Sequence, residues 1–215
     1  MKKQMTTLCL IICMTLFANG CGDDSKDESG GGQETGGPIA QSTPKETFNG
    51  FQDAVSKDEW NAAFQYLTDD SKNAFLGIGT MMATFSLLGT EGDEKAKELE
   101  SIMEKHGVKD DGKEQTLAPE KMMQAMADMV ADVKDKPALM KEIVAFMKKN
   151  SKDNKSPLDD LFKEKFQEAK IEGDTATVSV TVDGNDGDPT VLKKIDGKWY
   201  IDIIASEALK MKKGN

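Results

Sequence analysis

The spacing of apolar residues changes once along this 215-residue chain, and the change limits the folds open to it. Up to about residue 162, apolar residues recur every three or four positions, which is the spacing of amphipathic helices. From Thr175 the segment TATVSVTVD alternates strictly, so that Ala176, Val178, Val180 and Val182 lie on one face of a strand. Several helices followed by an antiparallel meander predict an α+β domain.

Helix signals begin at Thr43, where TPKE has the pattern of a capping box with Pro44 at the first helical position. Asp58 is expected to cap a second helix, and the segment TDDS to cap a third. The stretch Asn73–Thr90 carries no charge, and we expect a buried helix there, either continuous or broken at the segment GIG. Further helices are expected over Lys95–His106, from Pro119, from Pro137, and from Ser156-Pro157 through Phe162.

Turn residues divide the C-terminal part into about four strands. The turn at Gly173-Asp174 is expected to pair residues Glu168–Glu172 with the alternating strand. Asp196-Gly197 is a two-residue hairpin signal that joins a strand over Val191–Ile195 to one over Lys198–Ile204, and GNDGDP between these units is expected to be a loop. The register then places Trp199 opposite Lys194, Ile201 opposite Leu192, and Trp199 in the core near Phe51 or Phe64.

The N-terminus has the composition of an export signal. Lys2 and Lys3 precede the apolar run Leu8–Phe17, which is too short to span a bilayer, and residues 1–20 are therefore predicted to be a signal peptide. The sequence FANGC, ending at Cys21, resembles the lipobox of bacterial lipoproteins. This resemblance implies that the chain is cut before Cys21, whose sulfur carries a lipid, and that Gly22 directs the protein to the outer membrane of a cell that has one. The alternative is an ordinary secretory site that leaves a free thiol.

Residues 21–42 are expected to form the lipidated cysteine and a flexible tether, because Gly22–Ser42 is Gly-, Ser- and acid-rich and holds almost no apolar residue. Such a coil spans on the order of 25 Å. Cys9 and Cys13 lie in the predicted signal peptide, so the mature chain keeps no pair for a disulfide and no cysteine metal site. The net charge of −10 argues against nucleic acid as a partner and against electrostatic binding to anionic lipid.

Two segments of the folded part also resemble a family. ETFNGFQDAVSKDEWNAAFQYLTDDSKNAF, and later GDTATVSVTVDG with VLKKIDGKWYIDI, are similar to bacterial lipoproteins with a nuclear transport factor 2-like domain. The resemblance implies a curved antiparallel sheet wrapped around helices, forming a cone with a pocket. Residues 43–215 are then a single domain, and the helical insert at about 76–155 is longer than the family has there and can fill or cover the pocket.

Four features of the sequence have side chains that could act in catalysis or bind a metal ion. His106 is the only histidine and is expected at a helix C-terminus, where a cation suits the helix dipole. Asp202 is expected to point away from the apolar face of the last strand, and DGNDGD, from Asp183 to Asp188, lacks the bidentate glutamate of a calcium loop. The stripe of Met122, Met126 and Met129 can bind Cu(I), but core packing is the preferred interpretation because no His or Cys joins it.

The sequence therefore predicts Cys21 as the one modified residue and assigns no catalytic, cofactor-binding or metal-binding residue. The leading hypothesis is a lipid-anchored, non-enzymatic binding or interaction domain at the cell envelope, attached to the membrane through its N-terminal lipid. The alternative is a small-molecule enzyme or carrier that uses a pocket in the cone. A closed apolar pocket with one buried carboxylate or histidine favours the enzyme, whereas a filled cone with an exposed apolar patch favours the binding domain.

Overall fold

The structure is a computed structural model, and it describes residues 41–87, 93–108, 119–151, 156, 158 and 163–213. All of these belong to one compact unit, residues 38–215. The predicted signal peptide, Cys21 and nearly all of the predicted tether lie outside the described residues. So does most of the predicted helix from Ser156, of which Leu158 is described as helical and fully buried.

The described residues form helices and an antiparallel sheet, which confirms the predicted α+β class. The helices are α1 (Pro44–Ser56), α2 (Trp60–Gln65), α3 (Asp69–Ser86), α4 (Asp93–Lys105), α5 (Pro119–Met129), α6 (Lys136–Asn150) and α7 (Ile203–Lys213). The strands are β1 (Lys165–Glu172), β2 (Thr175–Val182), β3 (Asn185–Asp186), β4 (Thr190–Ile195) and β5 (Lys198–Ile201). Within this part of the chain no helix is both long and apolar enough to cross a membrane.

Two of the predicted helix caps are present. Thr43 and Glu46 form the capping box of α1, and the Thr68 hydroxyl accepts a hydrogen bond from the Ser71 backbone N–H at the start of α3. The prediction that Asp58 caps α2 was wrong, because Glu59 is the N-cap residue. Asp58 has a φ of 57° and ends α1 instead, a left-handed conformation that aspartate tolerates.

The charge-free segment is helical without interruption from Asn73 to Ser86 in α3, so the alternative with a break at GIG is wrong. The two glycines leave space for neighbouring helices. A Cβ on Gly77 would lie 2.8 Å from the backbone of Met126 in α5, and one on Gly79 would lie 2.9 Å from Sδ of Met140 in α6. The cost of glycine in a helix interior is therefore offset by close helix packing.

The sheet has the order β1-β2-β4-β5, and β3 forms a short hairpin with β2. The predicted register holds, since Trp199 pairs with Lys194 and Ile201 with Leu192. The expected loop at GNDGDP was wrong in part, because β3 begins after a turn in which Asp183 and Gly184 have positive φ.

The last strand was predicted too long. β5 ends at Ile201, and α7 follows. The Asp202 carboxylate accepts a hydrogen bond of 2.9 Å from the Ala205 backbone N–H, and the Ser206 hydroxyl accepts one of 2.8 Å from Val191 in β4. A helix cap and a hydroxyl thus take over the backbone partners that a longer β5 would have supplied.

The helices cover one face of the sheet and fill the space beside it. Ala176, Val178 and Leu192 on this inner face are completely buried, and Trp199 and Ile201 are each 4% exposed. Val180 is also buried, while Val182 is only half-buried at the end of β2. The same buried cluster contains side chains of α1, α2, α3, α4 and α6, so the insert and the sheet share one hydrophobic core.

Candidate functional site

An open groove runs between the outer face of α1 and the start of β1. Its volume is about 480 Å³. Five α1 residues line one side at helical spacing, opposite the buried Phe48, Phe51 and Val55, and the residues at the start of β1 form the other side. The lining residues are Lys45, Asn49, Gln52, Asp53, Ser56, Glu164, Lys165 and Phe166.

Phe166 anchors the β1 side of the groove. Its ring centroid lies 6.1 Å from that of Phe48, and the Lys45 ammonium lies 5.8 Å from the Phe166 centroid. On the α1 side, Asp53 forms an exposed ion pair of 2.8 Å with Lys57. The groove therefore combines an aromatic surface with amide, carboxyl and ammonium groups.

Glu164 has the most perturbed environment of the lining residues. Burial raises the pKa of its carboxyl group to about 7, and the carboxylates of Asp188 and Glu207 add to that rise, while Lys210 opposes it. Glu164 is therefore partly protonated near neutral pH and can donate as well as accept a hydrogen bond. This is the kind of carboxyl group that acid–base chemistry or recognition of a hydrogen-bond acceptor requires.

The groups behind Glu164 come from α7 and from the segment before β4. Lys210 lies 2.8 Å from Oε1 of Glu207 and 3.7 Å from Oδ2 of Asp188. Burial alone would lower the pKa of Lys210, but the carboxylates of Glu207, Asp188 and Glu164 raise it on balance. Lys210 is thus held charged among three acids, and it limits how far the pKa of Glu164 rises.

Gln52 adds an unusual feature to the α1 side. Its side-chain oxygen Oε1 is buried and accepts no hydrogen bond within the described part of the chain. A buried acceptor left unpaired costs about 1–3 kcal/mol. Gln52 lines the groove, but this oxygen atom is itself buried and presents no surface to it.

His106 was expected at the end of a helix, and α4 ends at the residue before it. It lies in the turn after α4, and its Nε2 is 3.2 Å from Oε1 of Glu142 in α6. Lys105 lies 2.6 Å from the same oxygen and lowers the pKa of Glu142 through that hydrogen bond. These contacts join α4 to α6, and neither helix contributes a residue to the groove.

Of the predicted methionine stripe, Met129 is half-buried and packs against the shared core. Met140 and Met147 are fully buried in the shared core, and the Met126 backbone packs against Gly77. The side chains of Met122 and Met123 lie outside the described residues. Within the described residues, no three His, Cys, Asp or Glu side chains lie close enough together to hold a metal ion.

The two site residues found by the structure, Glu164 and Gln52, were not singled out from the sequence. Gln52 occupies the polar face of an amphipathic helix, where glutamine is ordinary. Burial in the folded domain raises the pKa of Glu164, and the charged groups that modify this pKa lie more than 20 residues away along the chain, so no local pattern indicates it. Comparisons with protein-family models, with characterised proteins and with solved structures found no match to this chain.

Proposed function

We propose that this chain is a lipid-anchored protein of the cell envelope whose folded domain binds a partner without catalysis. The sequence of the first 42 residues supports the location, and the packing of the sheet supports the absence of catalysis. In the nuclear transport factor 2-like arrangement, the inner face of the sheet lines the pocket. Here Ala176, Val178 and Leu192 on that face are fully buried against helices, and this observation carries the proposal.

A larger side chain on the inner face tests this packing. Val178→Phe should lower the free energy of unfolding by about 1–3 kcal/mol, because a filled core cannot accept the added volume. Thr177→Phe is the matched control, since Thr177 is the neighbouring residue on the opposite, half-exposed face. Equal stability of Val178→Phe and the unchanged chain in urea would indicate an open pocket and refute the proposal.

The membrane attachment is tested separately at Cys21. The mature protein should begin at Cys21 and carry a lipid on its sulfur, so its intact mass should exceed that of the bare chain from residue 21. Cys21→Ser should release the protein from the membrane fraction, because the sulfur is the attachment atom. An intact mass that matches a free thiol at Cys21 would contradict the anchored form.

The groove supports a second candidate, a small-molecule enzyme or carrier. Glu164 and Gln52 both line this groove, and the carboxyl group of Glu164 is partly protonated near neutral pH. The pair suits a polar ligand that offers both donors and acceptors. In a fragment screen by two-dimensional NMR, fragments that bind should shift the backbone amide signals of α1 and β1. The Glu164→Gln variant should not show these shifts. Binding that leaves these amides unchanged would exclude this candidate.

A further inference from the structure

The two edges of the sheet differ. The outer edge of β5 is occupied, because its Ile201 N–H donates to the Tyr66 carbonyl at 2.8 Å, and its Trp199 N–H donates to the Gln41 carbonyl at 2.9 Å. No strand among the described residues pairs with the outer edge of β1. β1 also carries Ile171, which is 54% exposed and the most exposed large apolar side chain of the described part. An open edge with an exposed isoleucine is a surface for strand pairing.

A bulge sets which β1 residues share a face. Phe166 pairs with Val180 and Glu168 with the next residue, Ser179, so that Gln167 is the extra residue. Phe166, Ala169 and Ile171 are opposite Val180, Val178 and Ala176, and therefore lie on the inner face. The charged residues are all on the outer face, and they are Lys165, Glu168, Lys170 and Glu172.

With Gln167 set aside, β1 is complementary to itself about Ala169. An antiparallel partner centred there places Lys165 opposite Glu172 of the second copy and Glu168 opposite its Lys170. On the inner face, Phe166 then meets Ile171 of the second copy, and Ala169 meets Ala169. Both charged pairs have opposite signs, and the exposed isoleucine gains an aromatic neighbour.

Other registers in which at least five β1 residues are paired do not have this property. A shift by one residue turns the inner face of one strand toward the outer face of the other. A shift by two in one direction places Glu168 opposite Glu168 and Lys165 opposite Lys170. The opposite shift places Lys170 opposite Lys170 and Glu168 opposite Glu172, and like charges directly opposite each other are destabilising. One register therefore satisfies both faces of β1.

We propose that two copies of this chain associate through their β1 strands, antiparallel and with a twofold axis at Ala169. The contact is isologous, so it closes after two copies and does not propagate. The charges on this edge protect against unrelated strands and at the same time select a second copy in the correct register. The inference does not depend on the lipid anchor, because it uses only residues of the folded domain.

A charge exchange tests the register. The mass of the full chain, isolated from expressing cells in a mild detergent, should move from one copy to two as its concentration is raised. Lys170→Glu or Glu168→Lys alone places like charges opposite each other in both symmetry-related pairs, and each should weaken association by roughly tenfold or more. The double variant Glu168→Lys/Lys170→Glu restores both pairs and should restore the dimer. Reversal by the double variant is an effect that a merely damaged strand would not show.

Two further variants test the contact itself. Ile171→Asp should weaken the dimer, whereas Ile195→Asp should not, because Ile195 is similarly exposed at 41% but lies at the end of β4. Ala169→Cys should form a disulfide between two copies on mild oxidation, and Lys193→Cys on the outer face of β4 is its control. A chain that stays monomeric at all concentrations would overturn the proposal, as would a dimer that the single charge reversals leave unchanged.

Discussion

Replacement of Gly77 by alanine tests how closely α3 packs in the core. Two effects oppose each other. Alanine favours a helix over glycine by about 0.8–1.0 kcal/mol, so an exposed position would become more stable. Gly77 is buried, however, and its added Cβ would lie 2.8 Å from the carbonyl carbon and oxygen of Met126 and 2.9 Å from its Cβ. Backbone atoms cannot rotate away, so α3 and α5 must separate.

Overpacking of this kind costs about 1–3 kcal/mol. Because the contact is with backbone atoms, the cost should lie in the upper part of this range, about 2–3 kcal/mol. After the gain in helix propensity, Gly77→Ala should then lower the free energy of unfolding by about 1–2 kcal/mol. Gly79→Ala is the matched control, because it lies in the same helix with the same gain in propensity. Its Cβ would meet Sδ and Cε of Met140 at 2.9 and 3.0 Å, the far end of a flexible side chain. Because both variants gain the same helix propensity, only the overpacking cost differs between them. We expect Gly79→Ala to be about 1 kcal/mol less destabilising than Gly77→Ala.

Urea unfolding of the two variants and the unchanged chain provides the measurement. The midpoint should fall for Gly77→Ala with an unchanged slope, which shows a change in stability and not in the unfolded state. A Gly77→Ala variant that is as stable as the unchanged chain, or more so, would mean that α5 does not approach α3 this closely. Equal losses for both glycines would show that side-chain flexibility at Met140 does not absorb the added atom.

Three other predictions use the same core. Trp199→Ala should cost about 3–5 kcal/mol, since Trp199 is 4% exposed, and a loss below about 1 kcal/mol in urea would contradict its burial. Unfolding should be one transition, with the fluorescence of Trp60 and Trp199 and the far-ultraviolet circular dichroism sharing a midpoint, whereas two midpoints would separate insert from sheet. Glu164 has its pKa raised from 4.5 to about 7, so its protonated form stabilises the fold below pH 4.5 and this contribution is lost as the pH rises to 7. As the pH rises from 4.5 to 7, the free energy of unfolding of Glu164→Gln should therefore increase by about 1–3 kcal/mol relative to that of the unchanged chain. A difference between the two that does not change with pH would contradict the raised pKa.

Local signals were sufficient for most of the secondary structure. Thr43 and Thr68 begin helices because their hydroxyls accept hydrogen bonds from N–H groups three residues later, which is a purely local interaction. The Asp196-Gly197 turn fixed the register of β4 and β5 for the same reason, since both of its central residues adopt positive φ.

Errors occurred where two local signals competed. The β-branched pair Ile203-Ile204 indicated that β5 continues, but the preceding Asp202 is also a helix cap, and α7 forms. The Gly77 and Gly79 pair indicated a possible break in α3, but the decision depends on the backbone of α5 and the side chain of α6, about 50 and 60 residues away. The environment of Glu164 was beyond prediction because Glu164, Asp188 and Lys210 meet only after the whole chain has folded.

The start of α3 explains why insert and sheet should unfold together. The buried Ser71 hydroxyl accepts a hydrogen bond of 2.7 Å from Thr68 and one of 2.9 Å from the Ile203 backbone N–H at the start of α7. In the same network, the Thr68 backbone N–H donates a hydrogen bond of 3.1 Å to the Ile201 carbonyl at the end of β5. The cap of α3, the helix that continues into the insert, therefore shares one set of polar partners with the end of β5 and the start of α7. Separation of α3 from the sheet would leave these groups unpaired in the core, at about 1–3 kcal/mol each, so partial unfolding is costlier there than at the surface.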